Sequence, residues 1–305
     1  MSVLIVGSVA YDGIEAPAGK VDRILGGSAT YASVASSFFT SPVRLVGTAG
    51  NDFDEQDLQF LTDHNIDLDG FRIDQSGKTF FWKGRYHSDF NSRDTLDTQL
   101  NVFEHFDPVI PDSWKDSSIL CLGNIEPSLQ RNVLDQVRKP RLTLLDTMNF
   151  WISGAREALE DAISRVDIAI INDQEAKELT GKSQLADCAR EIRKMGPSYL
   201  IIKKGEHGAQ LYSDELLFTA PAFPVPGIVD PTGAGDTFMG AFAGWLDQAD
   251  TLDENTLREA VAYGSALAAF CVEKFGPGRF AGLDRSEIDS RYDALRGLSR
   301  IPGRS

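Results

Sequence analysis

Residues 230–246 read DPTGAGDTFMGAFAGWL, and this stretch passes from turn chemistry to helix chemistry without a spacer. Pro231 fixes its own φ, while Gly233 and Gly235 open backbone geometries that side-chained residues resist. Phe238, Ala241, Phe242 and Trp245 then recur at three- and four-residue spacing, which predicts a helix with one apolar face. The first turn of such a helix carries unpaired N–H groups and a partial positive charge, and Gly233, Ala234 and Gly235 leave them uncovered. That surface suits a phosphate. Asp236 lies in the same turn. A carboxylate beside an anion cradle is wasteful for binding alone, because like charges repel. It makes sense as a base that takes a proton from the group attacking the phosphorus. The stretch therefore predicts phosphoryl transfer with Asp236 as general base.

Outward from it, the chain alternates strand-like and helix-like segments. Residues 3–9 form an apolar run suited to a strand buried on both faces, which delivers Tyr11 and Asp12 to its carboxyl end, where open α/β sheets place their ligands. Gly26-Gly27 opens a helix reaching about residue 39, and the pair is expected to let backbone approach a small polar ligand. From residue 119 onward, strand-like runs end at Asp146, Asn172 and Lys203, each followed by a helix or a turn. Helices are expected near 54–64, 128–138, 152–164, 255–274 and 286–296, and a hairpin at 209–219. This rhythm implies right-handed crossovers and a mostly parallel sheet. Asp12, Asp146, Asn172 and Lys203 should then gather along one edge. Residues 11–25 and 71–106 break the pattern, the second with the aromatic run TFFWKGRYHSDF and strand character resuming over 99–103. They read as a small β lid inserted in one α/β domain spanning residues 1–305.

Composition narrows the function. The chain has 42% hydrophobic residues, enough for a substantial core, and no apolar run of membrane-spanning length. Thirty basic against 45 acidic residues give a net charge of −15, which opposes nucleic-acid and anionic-membrane binding. Three widely spaced cysteines, Cys121, Cys188 and Cys271, argue for a reducing, cytoplasmic setting and against a disulfide framework. No paired Cys or His spacing suggests zinc. Gly77-Lys78-Thr79 imitates the end of a Walker A loop, but the preceding glycine is misplaced and a strand follows instead of a helix. Nor does Gly7-Ser8-Val9-Ala10 supply the glycine pattern of a dinucleotide-binding oxidoreductase.

Taken together, D-P-T-G-A-G-D at 230–236, the Gly26-Gly27 helix start, Asn172-Asp173-Gln174-Glu175 and Lys203-Lys204-Gly205-Glu206-His207-Gly208 resemble, in the right order, the motifs of the PfkB family of ribokinase-like carbohydrate kinases. The resemblance implies a three-layer α/β/α fold with a mostly parallel sheet and a β lid. It implies an ATP- and Mg²⁺-dependent kinase that phosphorylates a hydroxymethyl group of a sugar, with Asp236 as base and the Gly233, Ala234 and Gly235 N–H groups holding the transferred phosphoryl group. Glu175 and Asn172 would order the metal, with Asn172 also on the nucleotide beside Lys203, Gly205 and Gly208. Asp12, Gly26, Gly27 and Tyr31 would face the acceptor. Tyr31 stands where family members often carry a sugar-contacting asparagine, so the acceptor could equally be a nucleoside, with a ring there narrowing the pocket or stacking on a base. A non-catalytic sensor that kept the fold is the alternative from another class, and the intact Asp236 argues against it. The lid's edge strands could pair between two subunits.

Overall fold

The computed structural model describes residues 1–90, 92–298 and 300. Thirteen strands occur among them: β1 (Val3–Val6), β2 (Ala10–Ala16), β3 (Gly19–Gly26), β4 (Val43–Gly50), β5 (Ile66–Asp74), β6 (Phe80–Tyr86), β7 (Arg93–Gln99), β8 (Ile119–Leu122), β9 (Leu142–Asp146), β10 (Ile168–Asn172), β11 (Tyr199–Lys203), β12 (Ala209–Tyr212) and β13 (Leu217–Ala220). Nine of them form one sheet in the order β13-β12-β11-β10-β9-β8-β1-β4-β5. Pairing is parallel from β5 across to β11, and the last two pairings, β11–β12 and β12–β13, are antiparallel. The central strands β1 and β8 are buried along their whole length, as their uninterrupted apolar sequences require.

Helices cover both faces. Ser28–Ser37, Ala234–Gln248 and Glu254–Cys271 pack with Val3, Ile5, Cys121 and Ile170 on one side. Pro127–Gln136, Arg156–Ser164, Asp173–Thr180 and Leu185–Lys194 pack with Leu4, Val6, Leu120 and Ile171 on the other. Alternate residues of the same strand therefore feed two separate cores, the period-2 consequence of a sheet sandwiched between helix layers. The result is the expected three-layer α/β/α arrangement with a mostly parallel sheet. No helix among the described residues is long and apolar enough to cross a membrane.

A second sheet, β3-β2-β6-β7, stands apart from the first. It contains both segments expected in the lid, with narrower limits. Residues 71–74 belong to β5 and hence to the main sheet, and strand character does not resume over 99–103. The chain there closes instead into a 3-10 turn, Asn101–His105, whose Val102 N–H donates to the Lys78 carbonyl. The helix expected near 152–164 is two helices, Asn149–Gly154 and Arg156–Ser164, meeting at Ala155. In the helix expected near 54–64, which spans Glu55–Asp63, Leu61 is buried and Leu58 is exposed.

The Ala234–Gln248 helix also departs from expectation. One apolar face was predicted, yet Thr237–Gly244 are all buried, as in a helix enclosed on every side. The reason is a second, small-residue stripe. Gly240 lies directly on the backbone of Ala32 and Gly244 on that of Ser36, so this helix and Ser28–Ser37 approach more closely than side chains would allow. A Cβ at Gly240 would overlap the Ala32 carbonyl oxygen.

Gly240→Ala is expected to lower unfolding free energy by about 1–3 kcal/mol, the usual cost of overpacking a rigid contact. Gly154→Ala, where a Cβ meets nothing within 4 Å, should stay within about 0.5 kcal/mol of the parent in the same denaturant titration.

Candidate active site

The parallel strands end side by side, and their last residues line one edge of the sheet. Asp146 closes β9, Asn172 closes β10 and Lys203 closes β11, with Asn172 and Lys203 directly paired in register. Lys203 Nζ donates to Asp146 Oδ2 at 2.9 Å. Asp146 is itself nearly inaccessible and is fixed from behind, since its Oδ1 accepts from Thr147 N at 2.8 Å.

The 230–236 turn comes down onto this edge. Asp230 organises it, with Oδ1 accepting from Thr232 N at 2.9 Å and Oδ2 from Gly276 N at 3.0 Å. Gly233 takes the left-handed conformation at φ 76° and forms the N-cap of the Ala234–Gln248 helix, which explains the glycine there. The Thr237 N–H closes the first helical bond onto the Gly233 carbonyl at 2.8 Å. Of the three N–H groups expected in the cradle, the Ala234 N–H is already engaged with the Pro231 carbonyl at 3.2 Å. Those of Gly233 and Gly235 have no partner among the described residues, and a Cβ on Gly235 would stand 2.8 Å from Lys203 Nζ. Gly235 thus leaves the ammonium open to the helix N-terminus, and the cradle consists of two free N–H groups with a lysine beside them.

Three carboxylates share this ammonium. Asp236 is raised to about 7, first by burial and then by the Asp146 charge, with Lys203 and Arg93 pulling the other way. Burial and Asp146 likewise raise Glu175. Burial works against the Lys203 charge, but Asp146, Glu175 and Asp236 outweigh it and raise its pKa. Raised carboxyl groups at a cleft are the condition a general base working near neutral pH requires.

Asn172 and Glu175 form a reciprocal capping box: the Glu175 N–H donates to Asn172 Oδ1 and the Asn172 N–H to Glu175 Oε2, both at 2.8 Å. The pair therefore builds the start of the Asp173–Thr180 helix, and only the second Glu175 oxygen is left without a protein donor. No group of three His, Cys, Asp or Glu side chains with metal-binding geometry occurs among the described residues. That donor set fits a magnesium ion, which takes one or two carboxylates and fills its remaining positions with water and phosphate oxygens. Gly205 and Gly208 both lie at positive φ and close a tight turn in which the Lys204 N–H donates to the Gly208 carbonyl at 2.7 Å.

On the acceptor side, Asp12 is buried on the lid strand β2, and its carboxylate lies against Gly26, where any Cβ would collide with it. Burial raises Asp12 to about 8, with Asp230 and Asp236 adding to the effect. Gly27, at φ 96°, packs on the backbone of Ser8 and Ala10. The glycine pair therefore accommodates the protein's own close contacts and the seating of Asp12. The expectation for Tyr31 is corrected. At 1% exposure its ring lies beneath Gly233, not in the cleft, and cannot stack on a ligand from there.

Two lid residues reach the site, Tyr86 of the aromatic run noted in the sequence and Arg93, which escaped the sequence reading. Tyr86, on β6, is reached by the 230–236 turn itself, with Thr232 Oγ1 donating to its hydroxyl at 3.1 Å. Arg93 faces Tyr86 across the β6–β7 ladder, sits 5.9 Å over the Trp82 ring, and favours the charged forms of Asp236 and Glu175. Only the ladder register brings Arg93 to the site. No local pattern marks it.

The sequence profile of the pfkB family carbohydrate kinases matches residues 135–281, the half of the chain that carries Asp146, Glu175, Lys203 and Asp236. Residues 135–281 carry a PfkB family domain. Members of the family are phosphotransferases with an alcohol group as acceptor, and this enzyme is one of them. A cytidine kinase from Thermococcus kodakarensis is 29% identical to this PfkB kinase over 90% of the present chain and 98% of its own. Fructokinase-2 of Solanum habrochaites is 30% identical over 41% of this chain and 40% of its own length. The fold matches that of a Burkholderia thailandensis nucleoside kinase in complex with inosine, with a TM-score of 0.78 and 22% identity over 97% of this chain and 99% of the other.

With Asp236 in the role of general base, kcat at saturating acceptor is expected to fall with slope one as pH drops through about 7, the value to which its pKa is raised. Lys203 favours the ionised form, so Lys203→Met should move the acid limb to higher pH. A pH–rate profile of the two proteins checks both the limb and the sign of its displacement.

Proposed function

We propose that this PfkB kinase transfers the γ-phosphoryl group of ATP to the hydroxymethyl group of a nucleoside's pentose, with residues 1–305 working as one kinase unit closed by its lid. The observation that carries the chemistry is Asp236 in the first turn of a helix whose Gly233 and Gly235 N–H groups are free, with Lys203 alongside. Asp236 accepts the proton as the acceptor oxygen attacks the γ-phosphorus and the bond to the β–γ bridging oxygen breaks. The two N–H groups and the lysine neutralise charge on the transferring oxygens, and most phosphoryl-transfer catalysis is this kind of positioning and electrostatics. Arg93 adds a second cation from the lid side. Magnesium, held through Glu175 with Asn172 bracing it, supplies charge neutralisation on the nucleotide phosphates when bound. Lys203 and the Gly205–Gly208 turn border the nucleotide side of the cleft.

The nucleoside reading rests on the lid. Asp12 and Trp82 are register partners across the parallel β2–β6 pair, so both project from the same face of the lid sheet, the face from which Tyr86 reaches the catalytic turn. A carboxylate suits sugar hydroxyls, and a half-buried indole beside it offers a flat apolar platform for a base. The cytidine kinase relative aligns over 90% of the chain, while the fructokinase aligns over 41%. The lid's outer strands β3 and β7 leave backbone groups unpaired, which supports pairing with a second copy.

ADP release measured across a panel of nucleosides and free sugars tests this reading. Turnover is expected with nucleosides, and Asp236→Asn should lower it by about 10²–10⁴-fold; full activity in that variant removes Asp236 as the base. Trp82→Ala should raise the nucleoside KM roughly 10- to 100-fold, the value of one aromatic–base stack. Phosphorylation of free sugars alone would return the acceptor to the sugar class.

A further inference from the structure

We propose that Tyr31 is a positioning residue for the phosphate cradle, acting through its ring and not through its hydroxyl. This rests on the reading of Gly233 and Gly235 as the cradle. Gly233 holds φ 76° and ψ 0° as the N-cap of the Ala234–Gln248 helix. A Cβ built there would fall inside the van der Waals envelope of three Tyr31 ring carbons, so the ring is pressed against the glycine with no intervening space. The ring therefore sets how far this N–H can sink toward the core.

The ring has little freedom of its own. Tyr31 lies in the first turn of the Ser28–Ser37 helix, with its N–H donating to the Gly27 carbonyl at 3.2 Å. That helix is locked onto the catalytic one by the Gly240–Ala32 and Gly244–Ser36 backbone contacts. Ala32 directly follows Tyr31, so the fixed helix crossing and the supported glycine are one rigid unit. Aromatic stiffness at such a place exchanges side-chain motion for a constant cradle height.

The hydroxyl does not share in this. It is fully buried and makes no hydrogen bond, although Cys271, Asp230, Asp12 and Tyr86 surround it. An unpaired buried donor is unfavourable, so the hydroxyl contributes nothing that a phenyl ring would lose. Asp230 is occupied by Thr232 and Gly276, and the Tyr86 hydroxyl is held by Thr232.

Steady-state kinetics of Tyr31→Phe and Tyr31→Leu, each checked by thermal unfolding, test the inference against the most active acceptor of the panel. Tyr31→Phe should keep kcat and acceptor KM within about two-fold and unfold no lower than the parent. Tyr31→Leu should lose at least about 10-fold in kcat, as small misplacements of catalytic groups do, with acceptor KM changed less than about three-fold. A ten-fold rise in acceptor KM for Tyr31→Phe would make the hydroxyl an acceptor ligand and overturn the proposal, as would parental kcat in Tyr31→Leu. If Tyr31→Leu does not fold, Tyr31→Phe alone decides through the same KM criterion. Absence of turnover by the parent chain with any acceptor would instead count against the kinase reading, a separate failure.

Discussion

One buried ammonium sustains this site. Lys203 sits among Asp146, Glu175 and Asp236, and without it three carboxylates would crowd into one partly dehydrated volume. Taking charges out of water is costly unless they are paired and hydrogen-bonded, and here each is held by a different device. Asp146 takes the lysine directly and is backed by the Thr147 N–H. Glu175 is tied into a capping box. Asp236 stands in the first turn of a helix, where a negative charge is favoured. The arrangement leaves one ammonium balancing several negative charges, an imbalance that a hard divalent cation carried in with a nucleotide would relieve.

The second constraint is the joining of two sheets into one cleft. The lid is fastened at its base by a polar latch. Asp54 N–H donates to the Tyr11 hydroxyl, which donates in turn to Asp57. Arg23 lies over the Tyr11 ring and pairs with Asp54, and Asp52 Oδ1 takes both the N–H and the hydroxyl of Thr79. At its far end the lid meets the catalytic turn through Tyr86 and Thr232. The groups proposed for the acceptor on β2 and β6 and those proposed for the phosphates on the main sheet are therefore referred to the same turn. A kinase needs this arrangement, since the acceptor oxygen and the phosphorus must be brought into line in a dry site.

The fold was largely legible because its signals are local. Apolar strands of four or five residues followed by helical periods, and DPTGAGD at a strand-to-helix junction, carry their meaning within a few residues. The lid was visible as an interruption of that rhythm. What could not be read depends on partners distant in sequence. The strand order brought Asp146 and Lys203 to one edge, but their direct pairing across 57 positions was not readable, and Arg93 reaches the site through a bulged antiparallel register that its own sequence does not specify. Tyr31 illustrates the opposite error. A ring at a motif position suggested contact with ligand, but a helix crossing mediated by Gly240 and Gly244 turns it inward.

In the proposed reaction the acceptor hydroxyl and the terminal phosphate meet between Asp236 and the free N–H groups of the 230–236 turn. A crystal structure with a non-hydrolysable ATP analogue, magnesium and the acceptor chosen by the substrate panel addresses it directly. The γ-phosphate oxygens are expected within hydrogen-bonding distance of the Gly233 or Gly235 N–H and of Lys203 Nζ, and the acceptor hydroxyl on Asp236. A γ-phosphate seated away from that turn, or an acceptor whose hydroxyl meets another group while Asp236 faces solvent, would contradict it.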